Sequence, residues 1–333
     1  MNPLAQWWPV ALSHELRNVP LASQVHHMPL VLFRAEDGRP AALPDRCPHR
    51  FAPLSAGKVR NGQIECPYHG WRFAADGRCT RVPGTNLAPC SKPLLDSLPC
   101  CEAHGLVWVS LNVVRPQAPP VAPAEHRRKL DTLWITDQVQ CSLQEAAENF
   151  LDGFHTHFVH AGWIRHDKKR QKISAQVRPL ADGVEALYSE ESEQSGLISR
   201  LLERERGTSM GRFRLPGLAE IEYRDRNGDL NLLVSAWLTP SGDGHIRLFA
   251  RVATARNWIP AVLKRCVLRQ LFRVILHQDR QVLEQVSANQ RRFQATPATP
   301  LDGPQDLLGP SIRRLLEHGQ PLVFEVRQLD FWL

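Results

Sequence analysis

The sequence predicts an α+β protein: an all-β N-terminal domain, then a domain in which helices flank an antiparallel sheet. Three observations carry this. Short β-type runs separated by Asp-Gly and Asn-Gly pairs fill the first third of the chain. A proline-rich stretch from Arg115 to Pro123 follows. Beyond it come a capped helix, a block of strand-like segments and a long helical pattern. Residues 1–115 are assigned to the first domain, 116–125 to a stiff linker and 126–333 to the second domain. A chain of 333 residues is long enough for two separate cores.

The elements follow in chain order. Val31-Leu32-Phe33 and Ala41-Ala42-Leu43 flank Asp37-Gly38; Lys58-Val59-Arg60 and Gln63-Ile64-Glu65 flank Asn61-Gly62; Trp71-Arg72-Phe73 and Arg78-Cys79-Thr80 flank Asp76-Gly77. These pairs tolerate positive φ and so predict hairpins. Leu106 to Val109 reads as a closing strand. After the linker, Gln138 to Cys141 suggests a strand. Ser142-Leu143-Gln144-Glu145 is a capping box, which predicts a helix from Leu143 to about His160, with Gly162 as its stop. Residues 173–255 read mostly as strands, with turns at Asn227-Gly228 and Asp243-Gly244. Val262 to Val286 has the apolar spacing of a long helix, and a short helix is expected near Ile312 to Glu317.

Two cysteine–histidine pairs stand out: Cys47-Pro48-His49 and Cys66-Pro67-Tyr68-His69, with sixteen residues between His49 and Cys66. Two thiolates and two imidazoles suit either a tetrahedral zinc or an iron–sulfur cluster. A zinc finger pairs like ligands; here each knuckle carries one of each kind. That suits a [2Fe–2S] cluster with one iron on both cysteines and the other on both histidines. A second cluster of candidates lies on the capped helix, where Asn149, Asp152, His155, His157 and His160 follow one another closely. Two histidines and a carboxylate with open positions are what a non-haem Fe(II) site needs. His157 and His160 are neighbours on a regular helix; His155 and His160 would stand about 140° apart. Spacing alone favours the first pair.

The first motif resembles the Rieske signature C-x-H-x16-C-x2-H, and the second the D-x2-H-x4-H motif of Rieske-type oxygenases, matched by Asp152, His155 and His160. Cys47 to Ser55 looks most like the vanillate and dicamba O-demethylase group. The resemblance implies an N-terminal Rieske domain, a helix-grip-like catalytic domain, a [2Fe–2S] cluster on Cys47, His49, Cys66 and His69, and Fe(II) on His155 and His160. Its third ligand would be acidic and on the long helix: Asp279, with Glu284 as the other candidate. The helix must then widen or break between His155 and His160, for instance by a π-type bulge, and His157 would sit behind the ligands or line the pocket. Asp152 would hydrogen-bond between an iron-ligand histidine and a cluster-ligand histidine of a neighbouring subunit; Asn149, one turn earlier, would support the site. The resemblance also implies a head-to-tail homotrimer, O2 as co-substrate, electrons from NAD(P)H through a separate reductase or ferredoxin, and hydroxylation or oxidative demethylation of an aromatic or polycyclic small molecule. The alternative is a Rieske electron-transfer protein without oxygenase activity.

Composition is that of an ordinary soluble globular protein, 43% hydrophobic and 23% charged. The net charge of +7 is scattered, apart from Arg165 to Lys172. No basic stripe with interleaved aromatics is present, which argues against nucleic acid as a partner. A basic face would suit an acidic electron carrier; a solvated loop is the plain alternative for that segment. No Gly-rich dinucleotide fingerprint is present, in keeping with an outside electron donor. Cys79, Cys90, Cys100, Cys101, Cys141 and Cys266 are expected as buried small hydrophobes in a reducing compartment. The N-terminus lacks the basic and apolar regions of a signal peptide, and no apolar run reaches the length of a membrane span. A soluble, cytoplasmic protein is expected.

Overall fold

Turn chemistry sets the N-terminal strands. In the computed structural model, described over residues 6–85, 91–112, 130–189, 196–202, 206–294, 300–319 and 326–333, the first ten strands form three small antiparallel sheets. They are β1 (Trp7–Leu12), β2 (Leu21–Val25), β3 (Met28–Arg34), β4 (Pro40–Pro44), β5 (Lys58–Arg60), β6 (Gln63–Glu65), β7 (Arg72–Phe73), β8 (Cys79–Arg81), β9 (Cys100–Ala103) and β10 (Leu106–Ser110). Gly38, Gly62 and Gly77 all have positive φ, so each expected hairpin forms at its expected turn. The strand at Leu106 does not close a sheet: β10 is central, between β1 and β9. A core of Val31, Phe33, Leu43, Leu54, Ile64 and Phe73 lies beneath the two cysteine-bearing loops and includes Cys47 and Cys66.

The chain divides into two compact units, one of residues 2–122 with 241–243, the other of 123–240 and 244–333. The expected linker, 116–125, lies outside the described residues, as does Cys90.

The second unit is built on one antiparallel sheet. Its strands are β11 (Leu130–Gln140), β12 (Lys172–Leu180), β13 (Gly183–Ser189), β14 (Arg206–Arg214), β15 (Leu218–Asp225), β16 (Leu230–Pro240), β17 (His245–Ala255) and β18 (Arg327–Trp332), in the order β11-β17-β16-β15-β14-β13-β12-β18. Helices α1 (Leu143–Leu151), α2 (Leu197–Leu202), α3 (Ala261–Arg292) and α4 (Gly309–His318) accompany it. α1 packs on β14 to β16 and on α3 and α4. Its Ala147 and Leu151 meet Phe213, Ala236, Leu283 and Ile312 in the core. Burying the leucine, isoleucine and phenylalanine side chains among them stabilises by about 1.5–3 kcal/mol each. α3 packs on β11, where buried Lys264 meets buried Asp131 at 3.1 Å and Arg280 pairs with Asp137.

Several expectations are corrected. The capping box forms as predicted: Glu145 N donates to Ser142 Oγ and Ser142 N to Glu145 Oε2. The helix, however, stops at Leu151 rather than near His160, because Asp152 takes its carboxylate to the next free backbone donors. Neither α2 nor edge strand β18 was expected. α3 runs about a turn and a half past Val286. Cys266 is exposed and Cys100 and Cys101 are half-buried, so among the described residues of that set only Cys79 and Cys141 behave as buried hydrophobes. Arg165 is not part of a solvated loop: it is 4% exposed.

Candidate metal centres

The two cysteine-bearing loops share one local geometry. Phe51 N donates to Cys47 O at 2.9 Å, and Gly70 N to Cys66 O at 3.1 Å. Phe51 and Gly70 both have positive φ, the conformation that closes each turn. Cys47 N donates to Ala52 O and Cys66 N to Trp71 O, so both cysteines are pinned to the scaffold. Both are buried, whereas His49 and His69 are exposed. The two imidazoles lie 4.6 Å apart, and His49 stacks on Trp71 at 4.9 Å. Burial, with the Cys66 thiol beside it, pushes the Cys47 thiol up to about 11. A bound iron would have to displace that proton. Thiols together inside and imidazoles together outside fit a [2Fe–2S] cluster with unlike ligand pairs on its two irons.

The second centre begins where α1 ends. Asp152 accepts from Phe154 N at 2.7 Å and from His155 N at 3.1 Å, which stops the helix and turns the chain. His155–His157 is a tight 3₁₀ turn. His155 O then accepts from Phe158 N and Val159 N, and His160 O from Trp163 N and Ile164 N. The expected π-type bulge is therefore replaced by a helix end and a 3₁₀ turn before His160. The two rings stand 5.0 Å apart at 73°.

α3 supplies the carboxylate. Asp279 Oδ1 lies 3.4 Å from His155 Nε2 and 3.1 Å from His160 Nε2, and the three donor atoms lie within 4.8 Å of one another. Asn149 Nδ2 donates to the same Oδ1 at 3.0 Å. His160 Nδ1 lies 2.9 Å from Gln278 Oε1. His155 Nδ1 is 3.4 Å from Asp152 Oδ2; that contact is electrostatic, because its geometry leaves the buried nitrogen without a hydrogen bond. Burial opposes a charged His155, but Asp152 and Asp279 outweigh it and raise the imidazole to about 9. Burial also opposes ionisation of Asp279, yet the two histidines hold it well below the usual carboxylate range. Two imidazoles and one carboxylate converging in this way fit a ferrous ion with open positions.

Glu284 lies outside this cluster. His157 is buried, with Nδ1 3.3 Å from Phe154 O, and burial with nearby Arg165 holds it below its ordinary value. It stands behind the turn rather than on the cavity wall. Sequence reasoning missed two residues. Gln278 has no motif to announce it. Arg165 Nη1 donates to Gly153 O at 3.1 Å and Thr156 Oγ1 at 2.9 Å, bracing the turn that carries His155.

The triad faces a cavity of about 140 Å³. The sheet forms one wall with Ile135, Met210, Ile221, Leu232, Val234 and Ala250, and α3 another with Phe272, Ile275 and Leu276. The lining is mostly apolar; Arg165 and Arg206 are its charges outside the triad and Asp152, among the described residues.

Residues 6–97 match the Rieske [2Fe-2S] domain, and residues 139–318, more than half of the chain, match the vanillate O-demethylase oxygenase C-terminal domain. The chain belongs to the Rieske oxygenases of the vanillate O-demethylase type. This Rieske oxygenase is 36% identical over 158 residues to the oxygenase component of dicamba O-demethylase from Stenotrophomonas maltophilia, 46% of each protein. It is 42% identical over 106 residues to chlorophyllide a oxygenase of Arabidopsis thaliana, 31% of this chain and 19% of that one. The matches thus span less than half the length of these curated relatives. Dicamba monooxygenase bound to 3,6-dichlorosalicylic acid has the same fold, with a TM-score of 0.80 at 25% identity over 94% of this chain and 96% of that one.

Proposed function

We propose that this Rieske oxygenase is the terminal component of a multi-component system. It takes electrons from a separate NAD(P)H-dependent reductase or ferredoxin and uses O2 to hydroxylate or oxidatively demethylate an aromatic or polycyclic small molecule. The observation that carries this reading is the convergence of His155, His160 and Asp279 at the wall of an apolar cavity. A pure electron carrier has no use for such a site.

When bound, the cluster supplies electrons one at a time and the mononuclear iron activates O2. The chain's own residues do the rest. Cys47, Cys66, His49 and His69 hold the cluster, with the histidines outward. His155, His160 and Asp279 hold the iron; Asn149 orients the carboxylate. The apolar lining excludes water and takes the flat body of the substrate. Asp152 bridges His155 to a cluster histidine of the neighbouring subunit, in a head-to-tail homotrimer. Among the described residues no helix is long and apolar enough to cross a membrane.

Two measurements test the reading. Asp279→Asn should lose the mononuclear iron and keep the visible absorption of the cluster; unchanged iron content would end the site assignment. Oxygen uptake with a generic reductase, screened over aromatic acids, aryl ethers and polycyclic compounds, should show substrate-dependent consumption. No stimulation by any of these classes would end the substrate assignment.

A further inference from the structure

Three consecutive residues of α3 are engaged by side-chain contacts, the first two at the proposed iron site. Gln278 meets His160 Nδ1, Asp279 meets His160 Nε2, and Arg280 pairs with Asp137 of β11. Adjacent side chains of one helix therefore take opposite nitrogens of one imidazole. That ring is 1% exposed, so solvent has no access to orient it.

We propose that Gln278 is a positioning residue that fixes the tautomer and angle of His160 toward the iron and does so with a neutral group. An amide oxygen can only accept, so Nδ1 of His160 must carry the proton. Nε2 is then left with its lone pair on the side of Asp279, which is the form a metal requires. The two histidines are held unequally. His155 has the carboxylate of Asp152 behind its Nδ1, and His160 has an amide. An anionic partner strengthens an imidazole as a donor; a neutral one orients it with less effect on donor strength. Gln278 adds no charge to a pocket that already holds Asp152 and Asp279. It also leaves Asp152 as the one carboxylate facing the far side of an iron-binding imidazole, among the described residues.

The inference rests on His155, His160 and Asp279 being the iron site, and its test keeps the two ideas apart. The full-length protein, with its cluster in place and its mononuclear site emptied, is titrated anaerobically with Fe(II), and separately with Co(II) while its visible bands are followed. Gln278→Leu should weaken binding about 10–100-fold and alter the Co(II) bands, with the cluster's visible circular dichroism unchanged as the sign of correct folding. Gln278→Glu, which restores an acceptor, should bind at least as tightly as the parent chain. If the leucine variant does not fold, Gln278→Ala takes its place in both comparisons. His277→Leu, one residue away at an exposed position, should change nothing. Parental affinity in a folded Gln278→Leu, or a folded Gln278→Glu no tighter than the leucine variant, would overturn the proposal. His160→Ala binding Co(II) like the parent would instead overturn the site itself.

Discussion

At the scale of single residues, the molecule depends on how each ligand is held. Asp152 has three tasks at once: it ends α1 by holding the turn that follows, faces His155, and carries the proposed path of electrons. The first two are visible in its contacts with Phe154 N, His155 N and His155 Nδ1. Asp152→Ala should therefore abolish most turnover with reductase while the cluster still reduces; turnover near the parental level would refute the bridge. The candidate ligands could be picked out because metal chemistry favours unusual residue types at fixed spacings. The pair Cys47/His49 and its partner Cys66/His69 could be read directly. The choice of His155 over His157 could not. Regular helix geometry favours His157, and only the early helix end reverses that preference. Asp152-Gly153 is itself a turn signal, and it was the clue to that end. Gln278 was hidden because a glutamine on a helix is ordinarily solvated, and only the folded partner His160 gives it a role.

At the scale of elements, α1 and α3 decide whether the triad assembles. The start of α1 was legible in Ser142 and Glu145, since a capping box is a local device. Ser142→Ala should cost about 1 kcal/mol, measured by denaturant unfolding. α3 was legible from its apolar spacing, but its tie to β11 was not. Asp131 and Lys264 lie 133 residues apart, and nothing local announces such a pairing. Burial works against ionised Asp131, but Lys264 and Arg256 outweigh it and hold the carboxyl below its ordinary value. A carboxylate lowered in this way stabilises fully above its unfolded value near pH 4, and the contribution fades as pH falls through the lower folded value. Asp131→Asn leaves Lys264 buried without its counter-ion and should cost about 3 kcal/mol at neutral pH. The same variant should lose this part of the acid-side slope when stability is measured from pH 5 downward. An unchanged slope would mean that the pair does not titrate with folding. β18 was illegible for the opposite reason. Most of its residues are exposed, so no buried face imposes an alternation on the sequence.

For the molecule as a whole, the hairpins of the first third of the chain were legible from their turn chemistry. The cores were legible only in outline, since pairing order within an eight-stranded sheet is set by long-range contacts. If electrons cross between subunits, two broken chains should rescue each other. Chains carrying His69→Ala have an intact iron site, and chains carrying His160→Ala an intact cluster. Each alone should be inactive. Mixed and reassembled, they should recover a substantial fraction of turnover, read as substrate-dependent oxygen uptake. No recovery in verified mixed oligomers would place electron transfer within one chain.

α3 is fastened to β11 at Lys264 and again at Arg280, and the Asp279 carboxylate sits one position before the second fastening. Its length between these points is therefore a fixed dimension of the protein. Removing a single residue there would swing Asp279 about 100° around the axis, away from both imidazoles, and strand a buried charge at one end. Substitutions along this span should be broadly tolerated on its outward side, whereas any insertion or deletion should yield a chain that holds its cluster and no mononuclear iron.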